Sequence, residues 1–584
     1  MKHSTTSHLP IPKQEPAGPG SFDYRPHSVE DWLQNLPVVN LSVTSRAVYE
    51  SLQACNRQQL HPSLRLRYLE QLREIVCYIG NGLRKQYMGR ALPLRPKPKG
   101  IVTLALLLLQ EMALGYEILI ETAHSQPRPA FGHHQRRACA LDRAIRYRSQ
   151  VLLESWVVYQ APPTDTWRRL HTLYAIAEAA GLSEQRVIDS QLASRRHRST
   201  PGRAYRQVVL LAAAGPQRMH HSEILDAYRL LEQWAAVARL VAPEDPAASE
   251  ALFWVPHALD APPQPYTVGS TGPQDRLLLT DALQRLTERE FSTTTKGLFG
   301  RRKALADIHP ELSRRLSLAL GAVTDRRRQS RMRITARILA VPGLTAIHRA
   351  LSHELGEDVE TIDPAHDRFQ CRNAPLAEHE APDVWDLIYP AELLGVMPQE
   401  PQRSIHDLPH HSRHEETLDW SLINVSAGGY CLVSGPQQNS HARVGELIAM
   451  REMTDRKPPW QLGAIRWMRV LPEQTLQIGV QILASSPSPI QLRAEHAEHR
   501  FGPLERGLLL PAVTATDQSA TLIAPGRNYA AQRRARVRYG QRETAVKLSR
   551  EIDATAHYVQ LEFCCSDLLE AEETVPDVSY PQHK

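Results

Sequence analysis

Two short polar segments carry residue types that can bind an anionic ligand. The first is the arginine run Arg327-Arg328-Gln329-Ser330-Arg331, and the second is Asn424-Val425-Ser426-Ala427-Gly428-Gly429. Arginine holds phosphate through paired hydrogen bonds, contacts the edge of guanine and stacks on a base face. Asn and Ser side chains add hydrogen bonds, and glycine lets a backbone approach closely. The rest of the chain must bring these two segments together for them to form one site.

Three apolar segments follow the second motif in order. They are Val444–Arg451 (VGELIAMR), Leu462–Val470 (LGAIRWMRV) and Ile478–Leu483 (IGVQIL). Turn residues separate them at the spacing that is typical of a small antiparallel barrel. A further strand is predicted directly after the arginine run, because apolar residues alternate from Ile334 to Ala340 and a Pro-Gly pair follows.

This order of elements resembles the PilZ family. In that family a strand leads into a DxSxxG turn, and strands beginning Gly-Glu, Gly-x-aliphatic-x-Trp and Gly-aliphatic follow it. Gly445-Glu446, Gly463 to Trp467 and Gly479-Val480 stand in those places here. The resemblance implies a β-barrel that binds cyclic di-GMP, with Arg327 and Arg331 as the family's RxxxR motif. The ligand-contacting residues that it implies are Arg327, Arg328, Arg331, Asn424, Ser426 and Gly429.

The chain departs from the family pattern in two places. Asn424 stands where Asp is commoner, and an amide oxygen lacks the charge of a carboxylate. Asn424 also follows Arg331 by more than 90 residues. An insertion at about residues 344–417 is therefore expected within the barrel, and the helical segment Leu344 to Leu355 would form part of it.

The predicted fold class is α+β and multidomain. An all-α N-terminal region, like a helical repeat or bundle, precedes a PilZ-like antiparallel barrel and a small C-terminal β module. The predicted boundaries are a disordered tail at 1–26, helices at 27–242, a linker with helical segments at 243–324, the barrel at 325–490, and the β module with an acidic tail at 491–584. A helix is expected at about 274–290 within the linker.

Composition indicates a soluble protein of the cytoplasm. Apolar residues make up 42% and charged residues 23% of the 584 positions, with a formal net charge of +6. No signal peptide is visible, and the longest apolar run, Ile101 to Leu109, is far shorter than the roughly 20 residues that span a bilayer. We therefore expect a buried helix there. The seven cysteines form no metal or disulfide pattern.

Several other readings of the sequence stay open beside the receptor. A barrel that has lost its ligand would serve as an interaction scaffold. A third reading uses the basic cluster from Arg326 to Arg337 to bind nucleic acid, although the small net charge disfavours it and we expect no nucleic-acid partner. An enzyme has least support, because no nucleophile or acid–base pair stands out. The expected partners are cyclic di-GMP and a protein bound by the helical region, and no cofactor is expected.

Two clusters of functional residue types have simpler interpretations. Trp167, His171 and Tyr174 share one helical face and are expected to be core residues. The histidines between His406 and His414, with Glu415 and Glu416, match no zinc spacing, so we expect no metal site there. His496 and His499 are expected to be solvated.

Overall fold

The computed structural model describes residues 8–124, 133–192, 197–269, 271–283, 310–321, 332–356, 418–426, 428–436, 438–455, 457–496, 500–512, 519–526 and 528–565. These residues divide into two compact units. The first contains residues 8–90 and 94–321, and the second contains residues 91–93 and 332–565, with the gaps just given. Arg327, Arg328, Arg331, the His406–Glu416 segment, His499 and the acidic tail lie outside the described residues.

The first unit is mainly helical, as predicted. Its helices are α1 (Pro26–Gln34), α2 (Leu41–Arg57), α3 (Pro62–Tyr87), α4 (Pro96–His124), α5 (His133–Val157), α6 (Thr166–Ala179), α7 (Pro201–Ala214), α8 (His221–Trp234) and α9 (Pro310–Gly321). A two-stranded ribbon, β1 (Val187–Ile188) with β2 (Arg198–Ser199), lies between α6 and α7. The apolar positions repeat at helical spacing, so each long helix buries one stripe against its neighbours. On α3 that stripe includes Leu69, Leu72, Val76, Ile79 and Leu83.

Helix α4 contains the longest apolar run and lies in the core. Its segment Pro96–Thr122 is the one stretch in the described part of the chain that is long and apolar enough to cross a membrane, with a mean hydropathy of 1.6. Its most apolar window is 72% buried by the rest of the protein. The buried helix predicted around Ile101 to Leu109 is confirmed.

Two predictions for this unit are wrong. Residues 8–25 were expected to be disordered, but Leu9 and Tyr24 are buried and the Glu15 backbone pairs with Arg57 and Gln59. The helix expected at 274–290 is contradicted in its first part, because Arg276–Leu279 is strand β6, which lies between β3 (Arg239–Val241) and β4 (Phe253–Val255). Residues 281–283 are helical, and residues 284–290 lie outside the described residues. Short apolar runs do not distinguish strand from helix, and β6 is decided by its two partner strands. β5 (Gln264–Pro265) completes this four-stranded sheet.

The second unit begins with a closed six-stranded barrel. Its strands are β7 (Met332–Pro342), β8 (Leu418–Ser426), β9 (Gly429–Ser434), β10 (Leu447–Glu452), β11 (Gln461–Val470) and β12 (Leu476–Ser485). They pair in the order β10-β11-β12-β9-β8-β7, and β7 closes the ring on β10. Helix α10 (Leu344–Glu354) follows β7, where the insertion was expected. The predicted barrel is confirmed.

The predicted C-terminal β module is a second closed barrel. Its strands are β13 (Ser488–His496), β14 (Arg500–Phe501), β15 (Glu505–Leu510), β16 (Thr521–Ala524), β17 (Arg534–Tyr539), β18 (Arg542–Ala554) and β19 (Val559–Cys565). The sheet runs β13-β15-β16-β19-β18-β17, and β17 pairs back onto β13 to close it. The short β14 pairs with the end of β13. Closure removes the open edges on which other strands could pair.

A buried carboxylate joins three helices of the first unit. Glu117 on α4 is fully buried, and its oxygens lie 2.7 and 3.0 Å from the guanidinium nitrogens of Arg148 on α5. Arg169 on α6 donates to the same carboxylate at 2.6 Å. Burial raises the pKa of Glu117, but the two arginines outweigh it and hold that pKa below its ordinary value. Glu117 is therefore charged at neutral pH.

Replacing this carboxylate tests its contribution to stability. We expect Glu117→Gln to lower the free energy of unfolding by about 3–5 kcal/mol, because two buried guanidinium groups lose their counter-charge. Since folding lowers the pKa, the stabilisation by Glu117 is present above an unfolded pKa of about 4.3 and is lost as pH falls through the folded value. The difference between wild type and variant should therefore shrink in acid. Urea denaturation followed by circular dichroism at pH 7 and pH 4 measures both effects.

The matched control is Glu50→Gln. Glu50 pairs with Arg46 at the surface of α2, where both side chains are about half exposed. Its replacement should lower the free energy of unfolding by less than about 1 kcal/mol. An equal decrease in the free energy of unfolding for the two variants would contradict the role assigned to Glu117.

Candidate ligand-binding site

The second predicted motif forms the tip of the β8–β9 hairpin. Ser426 pairs with Gly429, so two residues connect the strands. The Ser426 hydroxyl donates to the Gly429 carbonyl oxygen at 3.2 Å and braces the tip. Asn424 lies beside a register shift between Leu422 and Asn424, and bulges of this kind change the direction of nearby side chains. Among the described residues, the half-buried Asn424 amide has no hydrogen-bond partner.

Gly429 lies where the hairpin tip meets β12. A Cβ atom at Gly429 would lie 2.3 Å from the Val480 carbonyl oxygen, which is too close for any side chain. Gly429 does not have a positive φ, so its backbone conformation does not require glycine. Glycine is required at this position because β9 and β12 approach each other closely there. The Gly428 carbonyl also accepts a hydrogen bond from the Ile482 amide at 3.2 Å.

The register of β7 against β8 places the first residues of β7 beside the second motif. Met332, which follows Arg331 directly, is the Cα partner of Val425, and Arg333 is the partner of Asn424. At the other end of this strand pair, Ala340 faces Leu418. The insertion between β7 and β8 thus leaves and re-enters the barrel at the end remote from the motif. More than 90 residues of sequence separate Met332 from the end of β8, but β7 and β8 are neighbouring strands of the barrel.

The other motif elements contact one another on adjacent strands. Trp467 pairs with Gly479, and its indole covers that glycine so closely that a Cβ would lie 1.9 Å from the ring nitrogen. A Cβ at Gly463 would lie 2.4 Å from a Val480 methyl group. The glycines of these elements are therefore explained by packing between β11 and β12. These glycines are therefore evidence for the barrel fold, and by themselves they are not evidence for a bound ligand.

Glu446 of the Gly-Glu element does not lie at the hairpin tip. Its carboxylate accepts the Arg443 backbone N–H at 3.0 Å. Burial raises the pKa of Glu446 to about 7, although the charge of Arg443 opposes that shift. Its contacts support the turn before β10.

Sequence reasoning missed Arg466 and Gln481. Gln481 is the Cα partner of Gly429, and Arg466 donates to the Gln481 side-chain oxygen at 2.8 Å. In the backbone register Arg466 has no Cα partner on β12, because the register passes from Ile465 opposite Val480 to Trp467 opposite Gly479. A charged residue inside the apolar stretch LGAIRWMRV was the available signal for a bulge at this position.

The remaining predictions have clear outcomes. Trp167, His171 and Tyr174 are buried, and the two ring nitrogens of His171 lie within hydrogen-bond distance of the Tyr205 hydroxyl and the Ala261 carbonyl. Their interpretation as core residues is confirmed. Within the described ranges, no group of three or more metal-ligating side chains lies together. The His406–Glu416 segment lies outside those ranges, as do His499 and the His496 side chain.

Comparison with known proteins gives three consecutive family matches. "Cyclic-di-GMP receptor FimW, N-terminal domain" matches residues 27–245, and "Cyclic-di-GMP receptor FimW, middle PilZ domain" matches residues 252–489. "FimW C-terminal beta-barrel domain" matches residues 490–564. The Cyclic-di-GMP receptor FimW of Pseudomonas aeruginosa strain PAO1 is 26% identical over 591 aligned residues, which cover 95% of this chain and 92% of that protein. No solved structure gave a significant match.

Adding one methyl group at Gly429 tests the close contact between the hairpin tip and β12. We expect Gly429→Ala to lower the free energy of unfolding of the barrel by about 1–3 kcal/mol, because the new Cβ meets backbone that has no room to move. Urea denaturation followed by tryptophan fluorescence measures it. Gly526→Ala is the control, since its Cβ would meet nothing nearer than 3.8 Å. A change within about 0.5 kcal/mol for both variants would contradict the close approach.

Proposed function

Since the chain belongs to the PilZ-domain family, as a large three-part member of it, we propose that it is a receptor for cyclic di-GMP. The ligand binds between the arginine run and the hairpin tip from Asn424 to Gly429. The observation that supports this most directly is the β7–β8 register. In this register β7 begins at Met332, which follows Arg331 directly. Met332 lies opposite Val425 of the second motif.

The proposed contacts follow from the chemistry of the ligand. Cyclic di-GMP has two phosphates and two guanines, and Arg327 and Arg331 hold these by paired hydrogen bonds and by stacking. Arg328 adds positive charge beside them. The amide of Asn424 can accept or donate a hydrogen bond to the ligand. The hydroxyl of Ser426 keeps the tip in shape and remains able to accept one.

The proposed output is a change in protein–protein contact and not a chemical reaction. The ligand provides the signal, and the helical region of residues 27–242 provides the surface for a protein partner. We place the receptor in the cytoplasm. The six cysteines in the described part of the chain are free thiols, which is typical of a reducing compartment.

Calorimetric titration of cyclic di-GMP into the purified protein tests the receptor proposal. We expect roughly micromolar or tighter binding that GTP does not reproduce. The double variant Arg327→Ala/Arg331→Ala should weaken binding by about 100-fold or more, because two charge-assisted contacts are removed.

The control for this titration is Arg337→Ala. Arg337 lies farther along β7, where it is exposed and forms an ion pair with Asp419 at 2.6 Å. Its replacement should leave the affinity unchanged. If the wild-type protein gives no heat and no thermal shift at a large excess of ligand, the barrel is an interaction scaffold and the receptor proposal is wrong.

A second experiment restores the residue that is commoner in the family. We expect Asn424→Asp to tighten binding of cyclic di-GMP by about 3- to 10-fold, because a carboxylate accepts stronger hydrogen bonds from guanine N–H groups than an amide does. The same titration measures the change, with Asn424→Ala as the comparison. Equal affinities for the Asp and Ala variants would show that this side chain does not contact the ligand.

A further inference from the structure

The second barrel contacts the first through the end of β18 and the turn that follows it, residues 553–558, which we call the docked turn. The Thr555 hydroxyl donates to the Gly445 carbonyl oxygen at 2.7 Å, and Gly445 adopts a positive φ of 85°. A Cβ at Gly445 would lie 3.4 Å from the Thr555 side chain. Gly445 belongs to the Gly-Glu element of the first barrel. The docked turn therefore contacts one of the segments by which that barrel is recognised in the sequence.

Arg466 joins the same turn to the strand behind the hairpin tip. One guanidinium nitrogen donates to the Asp553 carboxylate at 2.6 Å, and another donates to the Gln481 side chain at 2.8 Å. The Tyr558 hydroxyl donates to the same Asp553 oxygen at 2.6 Å. Burial lowers the pKa of Arg466, but the nearby Tyr558 and Asp553 outweigh it and raise that pKa. The guanidinium is thus a charged bridge between the two barrels.

The path from this bridge to the hairpin tip is short and closely packed. Gln481, at one end of the bridge, pairs with Gly429, and Val480 beside it leaves no room for even a methyl group on Gly429. The Gly428 carbonyl is hydrogen-bonded to the Ile482 amide. A displacement of the tip must therefore move this part of β12, and with it the side chain that Arg466 holds.

The docked turn also belongs to the apolar core that the two barrels share. Tyr558 is fully buried, together with Leu462 and Ala464 of the first barrel and Leu508 and Ile523 of the second. Helix α10 contributes to this core from the insertion, and its His348 ring lies 3.0 Å from the Ile490 carbonyl. Apolar burial stabilises the contact between the two barrels. The polar bridge of Arg466 with Asp553 and Gln481 then fixes the position of the docked turn in this contact.

We infer that Arg466 couples the state of the ligand turn to the docking of the second barrel, so that the β18–β19 turn responds to the bound nucleotide. This inference rests on the proposed function, because it requires a ligand at the Asn424–Gly429 tip. By linkage, the coupling acts in both directions. A ligand that holds the tip against β12 stabilises the docked turn, and a docked turn raises the affinity for the ligand.

Two matched variants test the coupling in the full-length protein. Arg466→Met keeps the length and much of the apolar stem of the side chain but removes the guanidinium. Arg469→Met is the control, because Arg469 lies on the same strand and donates to Gln477 of β12 within the first barrel. Cyclic di-GMP is titrated into each variant by calorimetry. Hydrogen exchange of residues 553–559 is then measured with and without the nucleotide.

The two readouts have definite expected results. Arg466→Met should weaken binding by about 5-fold, at the low end of typical coupling between sites, and Arg469→Met by less than about 2-fold. The nucleotide should slow exchange in residues 553–559 of the wild-type protein and of Arg469→Met, but not of Arg466→Met. Asp553→Asn should weaken binding as Arg466→Met does, and the double variant should be no weaker than either single variant, because both substitutions break the same bridge.

The possible failures are distinguishable. If the wild-type protein binds the nucleotide but Arg466→Met binds equally well and shows the same slowing of exchange, the coupling is wrong and the receptor proposal stands. If the wild-type protein does not bind the nucleotide, both proposals are wrong. If Arg466→Met weakens binding but the nucleotide still slows exchange in residues 553–559 of that variant, the guanidinium supports the fold only, and the coupling is again wrong.

Discussion

The pairing of β7 with β8 is the interaction on which the candidate site depends. It runs from Met332 opposite Val425 to Ala340 opposite Leu418, and it closes the first barrel across a long insertion. Closing so long a loop costs entropy, but that cost grows only logarithmically with length. The pairing of β7 with β8 on one side and with β10 on the other offsets this entropic cost, and the insertion leaves and re-enters the barrel at the end away from the hairpin tip.

The glycines of the recognised motif elements follow from the geometry of the closed barrel. Gly429, Gly463 and Gly479 each lie where a neighbouring strand or ring would collide with a Cβ. Glycines at these spacings therefore indicate one particular packing of β9, β11 and β12. This explains why the pattern indicates the fold, whereas the proposed ligand contacts rest on Arg327, Arg331 and Asn424.

The two barrels of the second unit share a core and a polar bridge, whereas the helical unit is held by its own buried charges. Glu117, Arg148 and Arg169 join α4, α5 and α6 through charges that are costly to bury singly. Arg466, Asp553 and Tyr558 perform a comparable role between the barrels, with a side chain that is still about one-third exposed. A partly exposed bridge is easier to rearrange than a fully buried one, which suits the proposed coupling between the ligand turn and the second barrel.

Local pattern was enough to predict the helical stripe on α3, the buried run in α4, the strands of the first barrel and the order of the motif elements. These features depend on residues close in sequence, whose periodicity is set by the helix or strand itself. Only the tertiary structure decided that Arg276–Leu279 is a strand, that residues 8–25 are packed, and that the C-terminal strands close into a second barrel. It also decided that the strand after Arg331 lies beside Asn424 and that Arg466 reaches Asp553. Each of these depends on which distant segments pair, and strand pairing over long separations leaves no periodic trace in a single sequence.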